Sequence, residues 1–289
     1  MRFKMPMRRQ SRGLGRSLGG RRRSGKFKIL PLVLLALFAL YYYQTNTTNV
    51  PLTGRKQLVD ISKSEEMALG LSSYSRILNQ SGVITSSPAL DQIRAIGKRL
   101  TKVIDVEGFE WEFNLIDSEQ ANAFCLPGGK VAVYTGILPV AKNIDGLAVI
   151  ISHEIAHAVA RHGAERMAYQ KLQQYGQMAL GMSIGEMAPQ TQRMVMGAFG
   201  MGSKFGFMLP YSRKHESEAD YMGLIYLARA CYNPEEAPRL WERMIQASPD
   251  TPSEFMSTHP DPKNRIADFQ GWMAEAKAEY AKYCSASLP

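Results

Sequence analysis

The sequence predicts a mainly helical α+β fold, on three observations. Apolar residues recur at helical spacing over most of the 289 residues. Two short stretches with strand character flank Pro127-Gly128-Gly129, which reads as the turn of a hairpin. No internal repeat period is visible, so a solenoid or a tetratricopeptide extension is not expected.

Taken in order, residues 1–28 hold 11 of the 35 Lys and Arg and no Asp or Glu. The formal charge of +9 is therefore local, because the remainder carries 24 basic against 26 acidic side chains. Positive charge stops where an apolar run starts, which argues against nucleic acid as a partner. Ile29 to Tyr43 is that run, fifteen apolar and aromatic residues, somewhat short of the ~20 usually needed to span a bilayer. Phe27 and the stem of Lys28 extend it, and Tyr41, Tyr42 and Tyr43 suit the interface. The expectation is a basic segment over 1–28, a single signal anchor in the lipid bilayer over 29–43, a linker over 44–63 and one domain over 64–289. Basic residues stay inside, so in a bacterial chain the domain lies in the periplasm, held to the inner membrane. The acid-free, arginine- and serine-rich start also fits a mitochondrial transit peptide, which makes the mitochondrial inner membrane the alternative.

Helices are expected over 64–80, 89–104, 146–162, 164–182, 190–209, 212–230, 235–247 and 263–283. Asp145 would cap the third of these, and Gly163 would close it in the left-handed conformation. Residues 111–117, 124–126 and 130–134 form the small sheet. Eight methionines lie between Met167 and Met208. They read as core packing, or else as an adaptable surface for unfolded substrate or a shallow membrane contact. Gly197, Gly200, Gly202 and Gly206 mark the second half of that stretch as a mobile lid.

The chemistry lies in His153-Glu154-Ile155-Ala156-His157. Residues i and i+4 share a helix face, so both imidazoles can hold one zinc ion while Glu154 reaches a water beside it. A third protein ligand is needed, and Ala160 and Gly163 stand where a metzincin would place a glycine and a histidine. His162 points about 140° from His157 on a continuous helix and reads as a partner of the helix dipole. The better ligand is Glu216, with Asp220 one turn on as acceptor for the free ring N–H of a ligating histidine. Glu218 points the other way and reads as part of a charged helix start. Ala219 and Gly223 are small enough for two helices to approach closely around one ion.

These motifs resemble the membrane-associated gluzincin peptidases, the family of the HtpX heat-shock protease, the type 1 CAAX prenyl protease, the BepA periplasmic protease and the mitochondrial inner-membrane stress protease. The carriers are the helix 153–157, Glu-x-x-Ala-Asp at 216–220, residues 122–129, Ser257-Thr258-His259-Pro260 and Arg265-Ile266, within a resemblance that covers about residues 50–285. The resemblance implies a zincin-like fold with a hairpin flanking the cleft, one Zn2+ per chain on His153, His157 and Glu216, and Glu154 as general base. It also implies that the strand Asn122-Ala123-Phe124 pairs with extended polypeptide substrates; plain sheet core is the competing reading for Phe124. His259 has three readings: a displaceable fourth ligand, an electrophilic helper, or a loop histidine bonding backbone. Arg265 orders that loop or stabilises a developing oxyanion.

Three cysteines give neither a zinc-finger nor a Cys-x-x-Cys spacing. Cys125 reads as a small buried hydrophobe, and Cys231 and Cys284 are placed to pair in an oxidising compartment. The sequence thus points to a membrane-anchored zinc endopeptidase of misfolded or regulatory proteins, with a homo-oligomer compatible. The rival is a zinc-stabilised chaperone or assembly factor that does not depend on Glu154.

Overall fold

The computed structural model describes residues 26–247, 254–259 and 262–284. The expected basic segment lies outside it as far as residue 25, as do residues 250–253 and 260–261 of the proline-rich loop. The described chain begins with helix α1 (Leu30–Thr45), strands β1 (Thr47–Asn49) and β2 (Lys56–Leu58), helix α2 (Lys63–Gln80), strand β3 (Gly82–Ile84) and helix α3 (Pro88–Thr101). Strands β4 (Glu112–Asp117), β5 (Ala123–Leu126) and β6 (Lys130–Tyr134) lead into the short helix α4 (Leu138–Ala141). Then come α5 (Ile144–Val159), α6 (His162–Ile184), α7 (Pro189–Ser203), a π-helical turn (Lys204–Met208), α8 (Leu209–Arg229), α9 (Glu236–Ala247), α10 (Glu254–Thr258) and α11 (Pro262–Cys284).

Helix α5 is the axis of the core. Ile150, Ile151 and Ile155 are fully buried, each contributing on the order of 1.5–3 kcal/mol of apolar burial. Helix α8 packs on one side of α5, α3 and the sheet on others, and α11 lies across α8 and α9. The sheet runs β3-β4-β6-β5, with β4 and β6 parallel and the other pairs antiparallel. Gly128 and Gly129 both take positive φ, 85° and 82°, as the expected hairpin turn requires. That turn returns the chain between β4 and β5, leaving β5 on the sheet edge beside α5.

The structure corrects several expectations. Helix α5 is capped by the Asn143 side chain, which accepts from the Gly146 N–H at 2.7 Å, while Asp145 accepts from the Asn233 N–H instead. It stops at Val159, and the left-handed residue is Arg161 at φ 58°; Gly163 lies inside the next helix. Helix α8 starts at Leu209, so residues 212–220 sit inside it. The segment read as a linker carries the β1–β2 hairpin, with Val50, Leu58 and Val59 buried. The methionine stretch is not core: α7 buries no residue, and Met178, Met182, Met194 and Met201 are 60–69% exposed. Among the described residues, no helix is long and apolar enough to cross a membrane.

Candidate metal centre

Helix α5 presents His153 and His157 on one face, with Nε2 atoms 3.1 Å apart. Helix α8 brings Glu216 to them, 3.5 Å from His153 Nε2 and 3.6 Å from His157 Nε2. The helices come this close because Gly223 faces the α5 backbone: a Cβ there would lie 3.1 Å from His153 N and Cα. Donors about 2.1 Å from a tetrahedral zinc ion stand about 3.4 Å from one another. The imidazole pair at 3.1 Å and the two Glu216 oxygens, Oε2 at 3.5 Å from His153 and Oε1 at 3.6 Å from His157, therefore have spacings that fit such an ion.

The surroundings fit it too. Asp220 Oδ1 lies 3.0 Å from His153 Nδ1, so the carboxylate takes that N–H and turns the Nε2 lone pair toward the centre. Burial and Arg265 disfavour a charged His153, yet Asp220 and Glu216 lift it to about 9, whereas burial holds His157 well below its ordinary value. Glu154 Oε1 is buried with no hydrogen-bond donor, 3.4 Å from His259 Nε2. Burial raises the Glu154 carboxyl, the direction that suits a proton acceptor working near neutral pH.

His259 stands among the donors. Its Nδ1 lies 2.8 Å from Glu216 Oε2 and 3.1 Å from His153 Nε2, making a four-residue group able to hold a metal. Its backbone is fixed at both polar atoms, the N–H donating to Phe255 O at 2.8 Å and the carbonyl accepting from Arg265. Arg265 is buried behind the site with its guanidinium over the Trp241 ring. It donates to both Asp220 oxygens at 2.5 Å and lies 3.3 Å from Glu216 Oε2.

Two sequence readings fail here. His162 is no dipole partner, because the break at Arg161 swings it back until its Nδ1 lies 2.9 Å from His157 Nδ1. Of two ring nitrogens in contact, one carries hydrogen and the other accepts. With His157 Nε2 facing the centre, its Nδ1 is the donor, so His162 carries its proton on Nε2 and donates to Glu218 at 3.0 Å. Burial pushes His162 down to about 4, which keeps it neutral for this role. Glu218 is likewise no exposed helix-start acid. It is buried and accepts from Thr53 Oγ1 at 2.5 Å and Arg55 Nε at 2.8 Å. Against the cost of burial, His162, Arg55 and Thr53 hold its carboxyl at about 2. Arg55 also forks onto Glu165, which His215 Nε2 contacts at 2.9 Å.

A cavity of about 440 Å³ opens beside the donors, bordered by His157, Glu216 and His259, by Cys125, Leu126 and Pro127, and by Lys204, Met208 and Leu209. Burial and the Glu154 carboxylate push the Cys125 thiol up, so it serves as a small neutral wall. The strand residues singled out from sequence do not border this space. Asn122 engages Tyr134 and its own neighbour through its two oxygens, Ala123 is buried, and Phe124 packs on Tyr74 and Tyr134. Of the glycine-rich stretch, α7 packs on α6, and the following turn reaches the cavity.

Two imidazoles from one helix, a carboxylate from a second and a buried unpartnered glutamate define a metallopeptidase of the two-helix type. The model of peptidase family M48 matches residues 89–273, and the chain belongs to that family. It is 34% identical over 262 residues to the mitochondrial metalloendopeptidase OMA1 of Schizosaccharomyces pombe, covering 89% of this chain and 75% of that protein. The Saccharomyces cerevisiae protein of the same name is 30% identical, covering 86% and 75%. The beta-barrel assembly-enhancing protease of Escherichia coli is 31% identical over 216 residues, 72% of this chain and 44% of that one.

Proposed function

We propose that the chain is a membrane-anchored zinc endopeptidase that cuts misfolded or regulatory proteins at the outer face of an inner membrane. The observation that carries this reading is the His153, His157 and Glu216 donor triangle with the buried, donor-free Glu154 oxygen beside it. His153, His157 and Glu216 would hold a zinc ion, which would supply Lewis acidity, making water a stronger acid, toward a pKa of ~7, and polarising a carbonyl. Glu154 takes the water proton and hands it to the leaving amine. Asp220 and His162 each fix one ligating imidazole, and Arg265 holds Asp220 and Glu216 in place.

Extended substrate pairs with the free edge of β5, where main-chain hydrogen bonds give broad sequence tolerance. His259 acts as a displaceable fourth donor, a role supported by its contacts to Glu216 and His153. Helix α1 anchors the domain; its side chains from Ile29 to Tyr41 are largely exposed and carry no charge. A bacterial inner membrane with the domain in the periplasm fits the basic start of the chain, and relatives from mitochondria keep the mitochondrial inner membrane as the alternative.

The test is Glu154→Gln. The variant should bind zinc as the parent does and fail to cleave an unfolded protein. Cleavage at the parent rate sinks the catalytic assignment, and full biological function without cleavage favours the chaperone or assembly-factor reading.

A further inference from the structure

Helices α1, α6 and α7 lie side by side with matched levels. At one end Lys28 N–H donates to Ser183 O and Lys28 Nζ pairs with Glu186 at 2.8 Å. Midway, Phe38 meets the edge of Tyr175, and Phe199 lies against Gly176. At the other end Tyr42 packs with Ala168 and Leu172, Gln173 bonds Ser203, and Lys171 pairs with Asp60. α6 therefore runs antiparallel to both neighbours.

Charge is absent from the same slab of all three. No Asp, Glu, Lys or Arg occurs in residues 29–54, 172–185 or 194–203. Charges resume together at both levels: Lys26, Lys28, Glu186 and Arg193 at the far end, Lys171 and Lys204 at the near one. Within the slab Leu34, Leu37, Met178 and Met201 are 57–64% exposed. An apolar area of this kind left in water is a liability. We propose that α6 and α7 enter the lipid bilayer beside α1, the three helices forming one embedded unit.

A bilayer is favoured over a bound polypeptide because only a slab requires charge to stop at the same height on three separate segments at the far end and on α6 and α7 again at the near end. Residues 172–185 rise about 20 Å, less than the ~30 Å of hydrocarbon. The Lys stems at both ends and local thinning make up the difference, so the three helices are embedded as one unit where none is long and apolar enough to cross alone. The sequence before Lys28 is rich in Lys and Arg and free of Asp and Glu, a composition that complements anionic headgroups. Because Lys204 and Met208 belong to the cavity wall, the cavity then opens close to the lipid surface.

The inference rests on the α1 anchor proposed above, and the test separates the two. The full chain, carrying Cys125→Ala so that only an introduced thiol reacts, is labelled with an environment-sensitive fluorophore at Leu34→Cys, Met178→Cys, Met201→Cys or Lys102→Cys. It is then reconstituted into phosphatidylethanolamine–phosphatidylglycerol vesicles. The expected result is that labels at 34, 178 and 201 lose fluorescence to tail-nitroxide lipids and resist aqueous iodide, with the reverse at 102. Iodide quenching at 178 and 201 with lipid quenching at 34 overturns the inference and leaves the anchor standing. Iodide quenching at all three overturns both. Labels at 178 and 201 that become shielded only when an unfolded protein is added assign the surface to substrate and also overturn it. All four positions are exposed, so the labels do not disturb the core.

Discussion

Replacing His162 with Phe should loosen the metal without unfolding the protein. The phenyl ring keeps the stacking on His215, whose centroid is 4.2 Å away at 12°. It removes the acceptor 2.9 Å from His157 Nδ1 and leaves that N–H without its partner. A lost hydrogen bond accounts for about 0.5–1.5 kcal/mol, and a buried donor left unsatisfied for about 1–3 kcal/mol. Groups that orient metal-ligating histidines typically contribute about 10–100-fold in metal affinity, or about 1.4–2.7 kcal/mol. The two figures agree, so zinc affinity measured by chelator competition should fall within that range. Glu218→Gln should cost less, because the amide oxygen still accepts from His162. A His162→Phe protein that binds zinc as tightly as the parent, with unchanged thermal melting, refutes the tautomer chain from His157 to Glu218.

Three further outcomes are expected. Gly223→Ala puts a Cβ 3.1 Å from the His153 backbone, forcing α5 and α8 apart; denaturant melts should show a loss of about 1–3 kcal/mol, and an unchanged midpoint argues against close approach. His259→Ala should raise peptidase activity, as removal of a displaceable fourth donor predicts, whereas a fall in kcat overturns that role and assigns it the electrophilic one. Cys231 and Cys284 are disulfide-bonded across 53 residues, tying the end of α8 to the end of α11. Reduction should therefore destabilise the fold by about 2–4 kcal/mol, and a melting temperature indifferent to reductant removes that role.

The part of the site written in local spacing was legible. His153 with His157, and Glu216 with Asp220, are one helical turn apart, so the 3.6-residue repeat alone sets each pair on one face. What could not be read depends on a break in that repeat. A continuous helix turns His162 away from His157, and only the left-handed Arg161 brings it back. No pattern marked Arg161, since a residue with a Cβ seldom adopts that conformation. Thr53 and Arg55 stand more than 160 residues from Glu218 and had no signal at all. The methionine stretch failed for another reason: periodicity reports an apolar face and not what covers it. Strands β1, β2 and β3, three residues each, are too short for alternation to show.

The β1–β2 hairpin has a practical consequence for where the enzyme begins. Thr53 and Arg55 follow α1 by a few residues and grip the Glu218 carboxylate that steadies His162. A truncation at Ser64, the boundary suggested by helical periodicity, removes both, whereas one that begins at Asn46 keeps them. The shorter product also loses the buried Val50, Leu58 and Val59, so it should be less stable as well as poorly metallated, and the longer one should stay competent. Proteolysis between those two points, in a cell or a test tube, would act as an off switch set just after α1.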